Sequence, residues 1–328
     1  MPAYSIVIPT YNSSKTLRTL LQSLAEQSFN GFEVIVVDDG STDDTHEIAS
    51  RFDIRYERQE NRGPAAARNR GAALASGEWL VFADADTVFR RDTMEQIDRV
   101  LKSCDADALV GTYSGQPANK GFVPEYKALW ERVTIDEGFT LDERGLARNN
   151  SWAPRPGVVR KSVFNALGGF NTAFRGADLE DMELGYRLFE AGYKTYFAPA
   201  VRIQHHYPHT MAKELRPFAR RVVLWIRMRR RFKNMDSSGE GGPRQALAHL
   251  AGFASFWALP LVALGPVFAA APAAGLLVYA VLISPFLGAA LREKGLIFTI
   301  RALLYCWMHT ITLGFSALYG LLTPRRGV

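Results

Sequence analysis

The sequence predicts an α/β domain, a mainly parallel central sheet flanked by helices, followed by a helical membrane module. Short apolar runs at residues 4–9, 33–37 and 79–83 read as parallel strands covered on both faces. Acidic residues gather just after the second and third runs, at the strand ends where open α/β sheets bind ligands. Residues 247–291 then contain no Asp, Glu, Lys or Arg, which no soluble α/β domain needs.

The first strand, residues 4–9, has no leader before it and runs into Thr10, Tyr11 and Asn12, with a helix from about Ser14. No glycine fingerprint follows it, so a dinucleotide-binding reading lacks its phosphate loop. The second strand, residues 33–37, ends in Asp38, Asp39, Gly40, Ser41, Thr42 and Asp43. An Asp there accepts a hydrogen bond from a base N–H or a ribose hydroxyl and repels a bare phosphate. Ser41 and Asp43 also suit the cap of the next helix. In residues 61–69 a Gly63-Pro64 turn opens a helix with Arg68 on its first turns, either an exposed surface residue or a cation for a diphosphate.

The third strand, residues 79–83, follows the turn residues Ser76, Gly77 and Glu78 and leads into Asp84, Ala85 and Asp86. In an extended segment side chains alternate with period two, so Asp84 and Asp86 share one side and face one cation. Hard oxygen ligands beside a diphosphate suit Mg²⁺ or Mn²⁺. Asp105 and Asp107 have the same spacing but precede their strand, residues 108–113; they belong at the opposite end of the sheet, in a structural loop.

Residues 5–12, 37–45, 61–70 and 77–87 together resemble the nucleotide-binding half of glycosyltransferase family 2, with its GT-A fold. The resemblance covers nearly ninety residues in four ordered motifs. It implies that Pro9 and Tyr11 surround the base of a sugar-nucleotide, that Asp39 binds the base and that Arg68 lies near the diphosphate. It places Asp84, Ala85 and Asp86 at the sugar-nucleotide and metal, with Asp86 as the direct metal ligand.

A Gly168-Gly169-Phe170-Asn171 turn precedes an acidic helix start around Glu180, Asp181 and Glu183. The helix dipole favours acids in a first turn whether or not they catalyse. By resemblance Asp181 is the catalytic base and Glu180 its companion. A sugar hydroxyl is a poor nucleophile until its proton is removed, and a departing diphosphate needs a metal to absorb charge. One base opposite one metal implies single displacement with inversion. An ionised lipid phosphate needs no base, so Asp181 favours a hydroxyl acceptor. On the acceptor side, Trp152 either stacks on a sugar ring or belongs to the core. His205, followed by His206 after a strand around residues 200–203, lies where related enzymes place a histidine near the metal; the alternative is a solvated loop.

Composition changes after residue 210. Residues 213–233 hold nine Lys or Arg and one acid, Glu214. Phe218, Val222, Trp225, Met228 and Phe232 recur at helical steps, apart from Arg220, Arg227 and Arg231. Such a basic amphipathic helix suits an anionic membrane; no groove-binding motif favours nucleic acid. Residues 247–291 are long enough for about two spans at ~1.5 Å per residue, with a turn near Pro266 to Pro272. Arg292, Glu293 and Lys294 interrupt, and residues 302–324 are again uncharged. Placing Arg292 and Lys294 in the cytoplasm satisfies the positive-inside rule, whereas a third full span would export Arg325 and Arg326. The sequence is compatible with three spans or with two plus a re-entrant or interfacial segment.

The 328 residues carry a formal charge of +6 and only Cys104 and Cys306, consistent with a reducing compartment and no disulfide framework. No cleavable signal peptide is evident. The expected organisation is a GT-A domain over 1–210, a basic juxtamembrane helix over 211–235, a linker over 236–246 and membrane helices over 247–324. The expected protein is an inverting transferase using Mn²⁺ or Mg²⁺. It moves a sugar from a UDP- or GDP-sugar to a hydroxyl of a lipid-linked saccharide or glycolipid, multi-pass in the inner membrane, with its catalytic domain in the cytoplasm. The alternatives are transfer to a polyprenyl phosphate and a membrane scaffold that binds the nucleotide-sugar without turnover.

Overall fold

The computed structural model describes residues 2–136, 138–149, 151–174, 176, 178–229 and 243–323. It forms two compact units, residues 1–119 with 140–207 and residues 120–139 with 208–328. Residues 120–139, which the sequence reading left inside 1–210, thus group with the C-terminal helices.

Among the described residues the first unit is built on a nine-stranded sheet. Strands β1 (Tyr4–Thr10), β2 (Phe32–Asp38), β3 (Arg55–Arg58) and β4 (Trp79–Phe82) are parallel, in the order β3-β2-β1-β4. The sheet then continues through β8 (Gly157–Arg160), antiparallel to both neighbours, to β6 (Ala108–Tyr113), β9 (Thr195–His205) and β5 (Thr87–Phe89). The two-residue β7 (Ala147–Arg148) pairs with β9. Two reversals across β8 make β6 parallel to β4, so Asp105 and Asp107 lie at the end opposite Asp84 and Asp86, as expected. There Asp107 accepts from the Lys194 amide at 2.9 Å and Asp105 pairs with the Lys194 ammonium.

Helices pack on this sheet through apolar stripes. In α1 (Ser14–Ala25) the buried Leu17, Leu20, Leu21 and Leu24 recur at helical spacing, and α4 (Thr93–Ser103) does the same with Met94, Ile97 and Val100. The short α2 (Thr45–Ala49) follows β2, and α3 (Pro64–Leu74) opens on Pro64 after Gly63, whose φ of 90° favours glycine. Helices α6 (Lys161–Ala166) and α7 (Glu180–Glu190) complete the unit.

The second unit is helical: α5 (Phe122–Asp136), α8 (Met211–Arg229), α9 (Pro243–Ala258), α10 (Ala270–Leu282), α11 (Ser284–Lys294) and α12 (Leu296–Leu322). Its core joins Tyr126 and Leu129 to Tyr279, Phe286, Ala290, Ala302, Tyr305 and Cys306. Residues 243–246, expected in a linker, already belong to α9, while 230–242 lie outside the described residues, as do Phe232, Arg231, Arg325 and Arg326. Among the described residues two helical stretches are long and apolar enough to cross a membrane, Pro243–Leu264 and Leu296–Leu322. The second expected span is broken: Pro266–Leu282 and Ser284–Lys294 meet at a 73° bend.

Candidate functional site

The carboxyl ends of β1, β2 and β4 converge with the N-terminus of α7. Pro9 lies half-buried within β1, and Tyr11, just beyond it, is 52% exposed. Asn12, at φ 50°, accepts from the Thr42 amide at 2.9 Å, and the Asn12 amide donates to Ser41 Oγ at 2.9 Å. Ser41 Oγ therefore serves the β1 loop and does not cap α2, whose N-cap is Asp44, whereas Asp43 accepts both from the Ser14 amide across in that loop at 3.1 Å and from Thr45 at the start of α2. These hydrogen bonds hold the Asp43 carboxyl down to about 2, against the opposing effect of burial.

Asp39 is buried and heavily engaged. It accepts from Gln59 Nε2 at 2.7 Å and from the Arg62 and Gly63 amides at 2.8 Å each. In this structure it organises the Gly63 turn that starts α3. Asp38, the other acid at this strand end, is also buried and accepts from the Ser41 amide at 2.7 Å and the Tyr56 hydroxyl at 2.5 Å.

Arg68 is 4% exposed, so the surface reading does not hold. Its guanidinium forks between Asp84 at 2.7 Å and Glu180 at 2.6 Å, with the Phe170 ring 5.4 Å away. Burial opposes its charge, but the two carboxylates outweigh burial and raise its pKa further. Asp84 is moved up, by burial first and then by Asp86, against the pull of Arg68.

The extended geometry expected for Asp84 and Asp86 is replaced by a turn, in which the Thr87 amide and hydroxyl donate to the Asp84 carbonyl at 3.1 and 2.7 Å. Ala85 is buried within it. The two carboxylates consequently have separate partners. Asp86 Oδ1 lies 3.3 Å from His205 Nε2, and the Asp86 carbonyl accepts from the His206 amide at 2.8 Å. The β5–β9 pairing, with Thr87 opposite His205, creates this contact between residues distant in sequence. Burial pushes the Asp86 carboxyl up, but His205 outweighs it and the net shift is downward. A carboxylate from the turn before β5 and an imidazole from the end of β9 fit a divalent ion that completes its shell with phosphate oxygens and water. Among the described residues no three His, Cys, Asp or Glu side chains gather as a ready-made metal cluster.

At the other side, Glu180 is 3% exposed and its second oxygen accepts from the Asp178 amide at 3.0 Å. Asp181, partly exposed, accepts from the Met182 amide at 2.8 Å. Burial and then the neighbouring Glu180 carboxylate push Asp181 up to about 7.

Two residues that sequence reasoning missed hold these parts together. Asn69 brackets Phe170, accepting from its amide and donating to its carbonyl at 2.8 Å each. A Cβ on Gly169 would sit 2.6 Å from Asn69 Oδ1, so this turn needs its glycine. Arg187 ties α7 to the same turn through the Leu167 and Gly169 carbonyls at 2.7 Å each and Glu183 at 2.8 Å. The only sequence signal for Asn69 was its place beside Arg68.

Trp152 belongs to the core. It is 1% exposed, donates to the Val158 carbonyl at 3.1 Å and packs on Phe82 and Phe170. Gly157 and Gly185 make room for it, since a Cβ on either would approach Trp152 to 2.4 and 2.5 Å. It offers no face to a sugar.

Residues 5–153 match the family model described as Glycosyl transferase family 2. A PGL/p-HBAD biosynthesis glycosyltransferase of Mycobacterium bovis is 39% identical over 195 residues, 57% of this chain and 70% of that protein. Glycosyltransferase GlyG of Streptococcus pneumoniae is 34% identical over 197 residues, 56% of this chain and 65% of that protein, so the match spans just under two thirds of its length. Among solved structures, the mannosyltransferase PcManGT of Pyrobaculum calidifontis has a TM-score of 0.57 at 21% identity, over 97% of this chain and 87% of that one; the shared fold is GT-A. With the match of residues 5–153 to the family model, the extent and identity of the Mycobacterium relative establish that the chain belongs to glycosyl transferase family 2.

Proposed function

We propose that the protein transfers a sugar, with inversion, from a UDP- or GDP-sugar to a hydroxyl of a lipid-linked saccharide or glycolipid at the cytoplasmic face of the inner membrane. The carrying observation is the Arg68 bridge, which joins a donor-end carboxylate, Asp84, to a base-end carboxylate, Glu180, through one buried cation. Asp181 beside it is moved to about 7, the range in which a general base is effective near neutral pH. In this reading Asp181 takes the acceptor hydroxyl's proton, and Glu180 and Arg68 set its charge environment. Pro9, Tyr11 and Asp39 line the base, and Asp84 and Ala85 face the sugar-nucleotide. Asp86 and His205 would hold Mn²⁺ or Mg²⁺, whose charge offsets that of the departing diphosphate. Support for donor and metal comes from PcManGT, solved with GDP-Man and Mn²⁺. The apolar stretches support multi-pass anchoring, with α9 and α10 as a hairpin and the sheet in the cytoplasm.

Thermal stabilisation by a panel of sugar-nucleotides with Mn²⁺ tests the donor class, a rise in Tm with one UDP- or GDP-sugar being expected. Asp181→Asn tests the acceptor chemistry. Donor binding should persist while turnover falls by roughly the 10²–10⁴-fold of general-base catalysis. Near-normal turnover would instead identify a phosphate acceptor, which needs no base.

A further inference from the structure

We propose that Asn119 is a positioning residue for the metal site: it latches the chain leaving β9, so that the rings of Tyr113 and Tyr207 hold the His205 imidazole against Asp86. This rests on the reading of Asp86 and His205 as the groups that hold Mn²⁺ or Mg²⁺.

β9 ends at His205, so the residues beyond it leave the ladder that paired their predecessors, and their main-chain groups need other partners. The His205 carbonyl accepts from the Ala118 amide at 3.0 Å, and the His206 amide donates to the Asp86 carbonyl at 2.8 Å. Tyr207 is 5% exposed, and one side chain serves both of its main-chain groups: its amide donates to Asn119 Oδ1 at 2.9 Å, and its carbonyl accepts from Asn119 Nδ2 at 2.8 Å. A side-chain amide offers a donor and an acceptor side by side, so Asn119 does for Tyr207 what a neighbouring strand would do. Asn69 brackets Phe170 by the same pattern on the catalytic-base side of the site.

The latch fixes a ring as well as a backbone. The Tyr207 ring lies 4.5 Å from the His205 imidazole, centroid to centroid, and the Tyr113 ring, from β6, lies 5.0 Å from it. The two tyrosines meet edge to face at 6.3 Å, within the separations at which aromatic pairs attract. The imidazole is thus held in the corner that they make. Its side chain is 18% exposed, against 44% for Asp86, and its Nε2 lies 3.3 Å from Asp86 Oδ1. The rings cover the imidazole and leave the carboxylate open. Groups that orient a metal-ligating histidine commonly alter metal affinity 10–100-fold when removed.

Electron spin echo spectroscopy of Mn²⁺ bound to the full chain with UDP or GDP present reads the imidazole directly, because a coordinated nitrogen modulates the echo. The wild type should show that modulation and His205→Gln should lose it. Asn119→Ala should bind Mn²⁺ about tenfold or more weakly, with the nitrogen modulation reduced, while nucleotide affinity measured without metal stays unchanged. Tyr207→Leu keeps the main-chain bracket and removes the ring; it should give the same loss, and Tyr207→Phe should restore wild-type binding, so the test stands even where Asn119→Ala does not fold. Full modulation and unchanged Mn²⁺ affinity in Asn119→Ala or Tyr207→Leu would overturn the proposal. A parallel fall in metal-free nucleotide affinity would mark a structural role and overturn it too. Mn²⁺ bound to the wild type without nitrogen modulation would instead remove His205 from the metal site, and with it the reading on which this proposal rests.

Discussion

The ionisation of Asp181 yields the sharpest prediction. A base with a pKa of about 7 is about 10% deprotonated at pH 6 and about 90% at pH 8. Transfer at saturating donor and acceptor should therefore rise roughly tenfold across that interval, whereas an Asp at its ordinary value near 3.9 would already be fully ionised and show no rise. The structure specifies how to move the inflection. Glu180 raises the pKa of Asp181 and Arg68 lowers it, so Glu180→Gln should shift the rising limb to lower pH and Arg68→Gln to higher pH. Stability has the opposite trend. Because the folded pKa lies above the unfolded one, the contribution of the protonated carboxyl is complete below pH 4 and is lost as pH rises through about 7, by a few kcal/mol at most. Asp181→Asn should abolish that dependence. The assay is a pH series of sugar transfer, with parallel urea unfolding at pH 6 and 8. A flat rate profile between pH 6 and 8, with Glu180→Gln leaving it unmoved, would refute the assignment of Asp181 as base.

Three further outcomes follow from the geometry. Asp86→Ala should eliminate Mn²⁺-dependent binding of the nucleoside diphosphate in calorimetry while Asp107→Ala, at the far end of the sheet, leaves it intact; equal losses would contradict the role given to Asp86. Arg68→Met strips the buried Glu180 of its cation and should destabilise the fold by about 3–5 kcal/mol in urea unfolding, with a loss under 1 kcal/mol showing that the bridge does not form. Trp152→Ala should also cost about 3–5 kcal/mol through the lost contacts with Phe82 and Phe170; unchanged stability with a raised acceptor KM would restore the sugar-stacking role.

The strands, their carboxyl-end acids and the apolar C-terminal stretches were legible because each is a local pattern. Residues 79–83 are continuously apolar because β4 is covered on both faces, and a chain of one apolar period needs no distant information to announce itself. The donor-end motifs were legible for the same reason: Gly63-Pro64 suits a turn into a helix, and the apolar run of β6 starts after Asp107. The family likeness then gathered these pieces into one site.

What remained hidden was every choice between partners far apart in sequence. Arg68 could have been a surface cation; burial between Asp84, 16 residues away, and Glu180, 112 residues away, made it a bridge. Trp152 fitted a sugar platform as well as a core until β8 and α7 closed around it. The Asp84–Asp86 segment looked extended, yet the Thr87 hydroxyl folds it into a turn, and the β5–β9 register delivers His205 to Asp86. In the helical unit the sequence showed α8 as basic and amphipathic, but its pairing with α12, Glu214 to His309 and Arg227 to Thr323, came only from packing. Amino-acid order sets period, charge and local turn geometry. The partner of a given carboxylate or ring is decided by which elements the tertiary fold brings within hydrogen-bond distance, because a buried charge must find its counter-charge wherever the chain places it.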